Sequence, residues 1–252
     1  MTPRLVEHAR RLRALHRPGD PLLLPNAWDA ATARLVAEAE FSVVATSSHA
    51  VARSLGFSDG ELAPAVQMFA AVRRIAASVE VPVTADLEAG YGLAADELVA
   101  MLLEAGAVGL NIEDTDHRAG GLRDPAWQAQ RIAGVREAVE AAGVPVVINA
   151  RVDVFHDLLE EKPTREQFVD GVERAKRYRD AGADCVYPIV LSDKALIDEF
   201  VRTVGCPVNI LLRSAAPPLV ELAELGVARV SLATGLMRAS LDAVRAVLEG
   251  LR

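Results

Sequence analysis

Eight times along the 252 residues a short apolar run gives way to an amphipathic stretch, and several of those stretches close on an Ala-Gly or Leu-Gly pair. Glu104-Ala-Gly-Ala leads into a run at 108–113, Ala142-Gly143 into 144–150, Ala181-Gly-Ala into 185–190, and Leu225-Gly-Val into 229–233. Glycine at such a point supplies the left-handed residue that ends a helix. Further runs at 21–25, 42–46, 82–86 and 206–212 complete eight strands. Strands that are apolar throughout and separated by amphipathic helices imply a parallel sheet covered by helices. Eight such units imply an α/β fold of the closed (β/α)8 barrel type, and the length suits one domain over 1–252. An open doubly wound sheet is the alternative. It is disfavoured because no G-x-G-x-x-G fingerprint follows the first strand.

Outside the repeat, Leu5, Val6, Ala9, Leu12 and Leu15 have helical spacing, predicting a lead-in helix within 1–19 that ends at Pro18-Gly19. Helices are expected from the first strand to about Glu40 and over 63–79, with a long loop from Ser47 through Gly60. At the other end, Leu236, Met237, Leu241, Val244, Val247, Leu248 and Leu251 form an apolar stripe over 235–252, wider than barrel packing requires.

A barrel of this kind carries its site at the C-terminal ends of the strands. Those ends hold Asn26 and Asp29, then Thr46, Ser47, Ser48 and His49, then Asp86 and Glu88, Glu113 and Asp114, and then Asn149, Arg151 and Asp153. Tyr187, Asn209 and Thr234 follow. Residues two apart on a strand point the same way, so Asp86 and Glu88 can face one volume. A hard divalent cation is one way to hold such a pair. The plainer alternative is that Asp86 caps a helix and Glu88 is a solvated loop residue.

Composition excludes other classes. A formal charge of −8 and the lack of a basic stripe argue against nucleic-acid binding. No run approaches the roughly 18 apolar residues of a membrane span, and the charged N-terminal stretch lacks the core of a secretory signal. Two cysteines, Cys185 and Cys206, suit a reducing cytoplasm and read as small buried residues rather than nucleophiles.

Four motifs carry a resemblance. Val83-Thr-Ala-Asp86-Leu-Glu88-Ala-Gly90-Tyr-Gly92, Asn111-Ile-Glu113-Asp114, Asn149-Ala-Arg151-Val-Asp153 and Ser54-Leu-Gly56-Phe-Ser-Asp59 together resemble the isocitrate lyase/phosphoenolpyruvate mutase superfamily. The resemblance runs from about Leu23 to Ala239. It implies a Mg²⁺-dependent barrel, with Mn²⁺ as an alternative metal, acting on a small anionic 2-oxo or 2-hydroxy acid through a metal-stabilised enolate. It further implies that Asp86 is the principal metal ligand, with Glu88 and Glu113 as further metal residues, and that Asp59 is an acid near the metal. Arg151 would bind a carboxylate, as would Ser47 and Ser48, and Asn209 is a further substrate-binding candidate. The family exchanges its last helix between subunits and forms dimers of dimers, so a swapped C-terminal helix and a homo-oligomer are expected.

One loop departs from the pattern. The family's carbon–carbon lyases carry a Cys after the fourth strand, and its mutases carry a Lys and an Asn. Here the loop reads Thr115-Asp-His117-Arg118-Ala-Gly120-Gly121-Leu-Arg123-Asp124. His117 is the one side chain in it that titrates near neutrality and is the candidate proton donor. The leading expectation is a lyase cleaving a C–C bond of a di- or tricarboxylic acid by retro-aldol reaction or decarboxylation. The alternatives are a P–C bond enzyme, a phosphonopyruvate mutase or hydrolase, and a non-catalytic 2-oxo acid binder.

Overall fold

Proline has no N–H to give to a sheet ladder, and Pro25 splits the first apolar run in two in the computed structural model. The halves are β1 (Leu22–Leu24) and β2 (Asn26–Ala27). β1 pairs in parallel with β9 (Arg229–Ser231), and β2 pairs with β3 (Val44–Thr46). From β3 the parallel order continues through β4 (Val83–Asp86), β5 (Gly109–Glu113), β6 (Val147–Val152) and β7 (Cys185–Pro188). β8 (Asn209–Leu211) pairs with β9, and a parallel bridge from Val186 to Val208 joins it to β7. Nine segments therefore make the eight strands of a closed barrel. The structure describes residues 3–158 and 161–252, so the start of the 1–19 lead-in lies outside the described residues.

The helices are α1 (Pro3–Ala14), α2 (Ala30–Glu38), α3 (Ser48–Ser54), α4 (Ala65–Ala76), α5 (Ala95–Glu104), α6 (Pro125–Ala141), α7 (Arg165–Asp180), α8 (Lys194–Val204), α9 (Leu219–Glu224) and α10 (Gly235–Glu249). Glycines end them as expected: Gly106 follows α5 at φ 85° and Gly182 follows α7 at φ 103°. The long loop expected over 47–60 is corrected in part. Ser47 accepts the Ala50 N–H at 3.3 Å and starts α3 there, because a serine before an alanine-rich run is an N-cap as well as a loop residue.

α1 lies across the N-terminal ends of the strands. Leu12 sits so close to Gly109 that a Cβ there would lie 2.7 Å from it, and Arg13 donates to the Val146 carbonyl at 3.3 Å. Inside the barrel, the aliphatic layers usual for this architecture are interrupted. Thr84, Asn111, Asn149, Asn209 and Arg229 are all buried.

α10 behaves differently from the other helices. Met237 is its one buried residue, while Leu241, Val244, Val247, Leu248 and Leu251 are exposed. Beside its start, a groove of about 390 Å³ is lined by apolar side chains including Leu23, Trp28, Leu35, Phe41 and Leu236.

Candidate active site at the strand mouth

Asp86 ends β4 and is half-buried. Its Oδ2 accepts the Ser48 N–H at 2.9 Å and the Ser48 hydroxyl at 2.7 Å, and its Oδ1 accepts Asn111 Nδ2 at 3.3 Å. The Asp86 N–H donates to Thr46 Oγ1 at 2.9 Å. Asp86 therefore caps no helix of its own. It is held rigidly by neutral donors and has lone pairs to spare, since a carboxylate offers about four acceptor sites.

Glu88 is buried and bound to the next loop. Its Oε2 accepts the N–H groups of Gly60, at 2.9 Å, and Glu61, and its Oε1 accepts the Tyr91 hydroxyl at 3.0 Å. Glu61 in turn accepts the Tyr91 N–H. All three of Glu61, Glu88 and Tyr91 have positive φ, at 59°, 51° and 56°, a conformation that costs a non-glycine residue on the order of 1 kcal/mol or more. Such strain gathers at working sites, and here the mutual hydrogen bonds hold it. Burial, with the nearby Asp59 charge adding to it, pushes the Glu88 carboxyl up to about 7. Asp59 itself is partly exposed and takes His49 Nδ1 at 3.2 Å.

Glu113 ends β5 opposite Arg151 on β6. Its Oε2 lies 2.6 Å from Arg151 Nη1 and its Oε1 lies 2.7 Å from His117 Nε2. Arg151 also grips Asp153 through Nε at 2.6 Å and Nη2 at 2.7 Å, a bidentate pair that leaves other guanidinium donors for an incoming acid. One arginine thus serves two carboxylates. Burial, with the Asp153 charge beside it, holds the Glu113 carboxyl above its ordinary range, while the Arg151 charge pulls it back down. The hydrogen bond to Glu113 raises the His117 pKa.

His117 reaches this cluster from a tight loop. Thr115 bridges to Leu122, and Gly120 donates to the Asp116 carbonyl at 2.8 Å. The base of the loop is fixed by Asp114, which accepts the Tyr178 hydroxyl at 2.6 Å, Arg174 Nη1 at 3.0 Å and the Asp153 N–H at 2.8 Å.

Of the residues singled out in the sequence, Asp86, Glu88, Glu113, Arg151, His117, Asp59 and Ser48 lie around one mouth. Ser47 is spent on capping α3. Asn209 opens β8, toward the N-terminal side of its strand, and donates to Ser231 Oγ at 3.3 Å inside the barrel. Asp29 caps α2 instead of facing the site, and Asn26 clasps the barrel seam, donating to the Thr46 carbonyl and accepting the Leu232 N–H. Tyr91 and the Gly60 and Glu61 amides carry no sequence signal, because their contact with Glu88 depends on the left-handed turn. Both thiols are held up by burial, Cys206 to about 11.

Among the described residues no three His, Cys, Asp or Glu side chains form a preformed metal cage. The donor chemistry still suits a hard cation that keeps most of its water, as Mg²⁺ does. Asp86 has spare oxygen lone pairs, and it lies within electrostatic reach of both Glu88 and Glu113. Glu88 and Glu113, whose oxygens are already engaged, suit contact through water.

The profile of the phosphoenolpyruvate phosphomutase family matches residues 12–252. An uncharacterized protein of Mycobacterium tuberculosis is 35% identical over 241 residues, covering 94% of this chain and 88% of its own length. The 2-methylisocitrate lyase of Escherichia coli is 28% identical over 240 residues, covering 87% of this chain and 78% of its own. A crystal structure of a Burkholderia cenocepacia protein, provisionally described as a phosphonomutase, superposes with a TM-score of 0.92 at 39% identity, covering 96% of this chain and 99% of that one.

Proposed function

The chain belongs to the phosphoenolpyruvate phosphomutase family, and from that premise we propose that it is a Mg²⁺-dependent lyase. Its reaction is cleavage of a C–C bond in a small 2-oxo or 2-hydroxy di- or tricarboxylic acid. The observation that carries this reading is that Arg151 and the loop residue His117 meet on one carboxyl group, Glu113, within the electrostatic reach of Asp86. Asp86 would hold the cation directly, with Glu88 and Glu113 doing so through water. When bound, the cation supplies Lewis-acid stabilisation of negative charge developing on the substrate's oxygens.

The chain's own groups do the rest. Arg151 binds the acid's carboxylate with the donors that Asp153 and Glu113 leave over. When a 2-oxo diacid decarboxylates, CO2 leaves as the C–C bond breaks, and the bond's electron pair remains on the pyruvate-like fragment as an enolate. His117 Nε2, holding its proton against Glu113 Oε1, gives that proton to the enolate carbon. The tight loop from Thr115 to Leu122 holds His117 against Glu113 for this step.

A P–C bond reading is favoured by the family's description and by the Burkholderia relative. The loop at 115–124, with neither the Lys nor the Asn of the mutases, weighs against it. Pyruvate release from oxaloacetate, measured beside turnover of phosphonopyruvate, tests the choice. Turnover of phosphonopyruvate alone would refute the lyase, and tight 2-oxo acid binding with no turnover of any acid would make the protein a binder.

The assembly proposed is a homo-oligomer, a dimer of dimers built by exchange of α10. Its support is the match between the exposed apolar face of α10 and the open groove beside α2.

A further inference from the structure

Arg229 is 1% exposed, in the middle of the barrel, and makes no ion pair among the described residues. A guanidinium so far from water is costly unless it is paired, yet its contacts are neutral. Nη1 lies 3.5 Å from His16 Nε2, Nη2 donates to Asn111 Oδ1 at 3.0 Å, and Nε has no partner. The neighbouring Cys185 and Tyr187 are themselves held protonated by burial. Asp86 is the carboxylate whose charge acts on Arg229.

Asn111 stands between them. Its Oδ1 accepts from two donors, Arg229 Nη2 and, at 2.8 Å, Asn149 Nδ2. Those two donors fix which way the amide faces, because turning it over would set N–H against N–H. With Oδ1 committed inward, Nδ2 must face outward, where it donates to Asp86 Oδ1 at 3.3 Å. Ser48 holds the other carboxylate oxygen, so the carboxylate is pinned at both ends.

We infer that Arg229 is a positioning residue, which acts through Asn111 to hold the Asp86 carboxylate in its ligand orientation. This rests on Asp86 being the principal metal ligand, as proposed above. It adds a requirement from a residue that touches neither metal nor substrate.

Calorimetric Mg²⁺ titration of the full chain tests it, with Arg229→Met, Arg229→Lys, Asn111→Ala and the Met/Ala double variant, alongside melting temperatures. Groups that orient a metal ligand are typically worth about 10-fold or more in affinity, so Arg229→Met and Asn111→Ala should each weaken binding about 10-fold. The double variant should be no weaker than Asn111→Ala alone, and Arg229→Lys should recover part of the loss. Effects that multiply in the double variant would overturn the inference. So would unchanged or tighter Mg²⁺ binding in Arg229→Met, whatever its melting temperature. Should Arg229→Met fail to fold, Arg229→Leu, which likewise offers no donor to Asn111, decides: affinity equal to wild type, with Asn111→Ala weakened, overturns the inference. If the wild type binds no Mg²⁺, the metal reading falls, and metal-free crystal structures then decide this point separately. An Asn111 amide turned away from Asp86 in the Arg229 variant supports the inference, and an unchanged contact refutes it.

Discussion

His16 lies at the foot of the barrel, 9% exposed, between Leu12 and Arg229. Its Nδ1 is 2.8 Å from the Leu12 carbonyl, which can only accept, so the ring proton belongs on Nδ1 and Nε2 is left to accept from Arg229. Protonating Nε2 would set two cations face to face in a buried site. Burial first, and the Arg229 charge second, lower the His16 pKa from 6.5 to about 4. The native state therefore keeps the ring neutral while the unfolded chain takes up a proton below 6.5. Stability is present in full above that value and is lost as the pH falls toward about 4. Each tenfold difference in proton affinity between the folded and unfolded chain is worth about 1.4 kcal/mol. This one residue therefore withdraws about 2 kcal/mol between roughly pH 7 and pH 5, and about 3 kcal/mol by roughly pH 4. Urea unfolding at fixed protein concentration, for wild type and His16→Gln, isolates the effect from other titrations. The stability difference between the two should close by about 2 kcal/mol over the first interval. Curves that stay parallel from neutral to acid would refute the assignment of a neutral ring.

Asp86→Ala should abolish Mg²⁺ binding by calorimetry with the fold intact by circular dichroism, and Glu88→Gln should do less, since Glu88 is already bound by loop amides. His117→Ala should lower kcat by about 10²–10⁴-fold while barely changing 2-oxo acid binding; loss of binding alone would make His117 a binding contact of the 115–122 loop. Cys185→Ala should cost about 1–2 kcal/mol in packing and leave turnover per folded molecule unchanged, as steady-state kinetics beside thermal melting would show. Light scattering at micromolar concentration should give an oligomer, and a monomer would contradict the exchange of α10.

What could be read from the sequence was what local chemistry determines. The Ala-Gly pairs mark helix ends because glycine alone is free of strain at positive φ there, and strand ends follow from where apolar runs stop. Asp86, Glu113 and Arg151 were legible on that basis, each at or next to the last position of its strand. The polar barrel interior was not legible. Thr84, Asn111, Asn149, Asn209 and Arg229 come singly from five different strands, each looking like an isolated exception in an apolar run, and only barrel closure brings them together. α3 was missed because Ser47-Ser48-His49 reads equally well as a loop and as a helix start. The clamp of Glu61, Tyr91 and Glu88 depends on three backbone conformations that side-chain patterns do not encode.

The break at Pro25 bears on how the barrel comes to exist at all. Each half of the first strand looks in a different direction: Leu22 is matched with Arg229, while Asn26 is matched with Ala45. The second pairing spans a short stretch of chain and can form early. The first must wait until the chain has been synthesised as far as β9, and closing so long a loop is the slow kind of contact in folding kinetics. Until then β1 offers an unpaired edge, which invites association with other chains. In a cell, a ribosome that stalls before β9 would release an eight-segment sheet with its rim open. Proteolysis or aggregation of such fragments, rather than their activity, would be the fate of chains that stop short of β9.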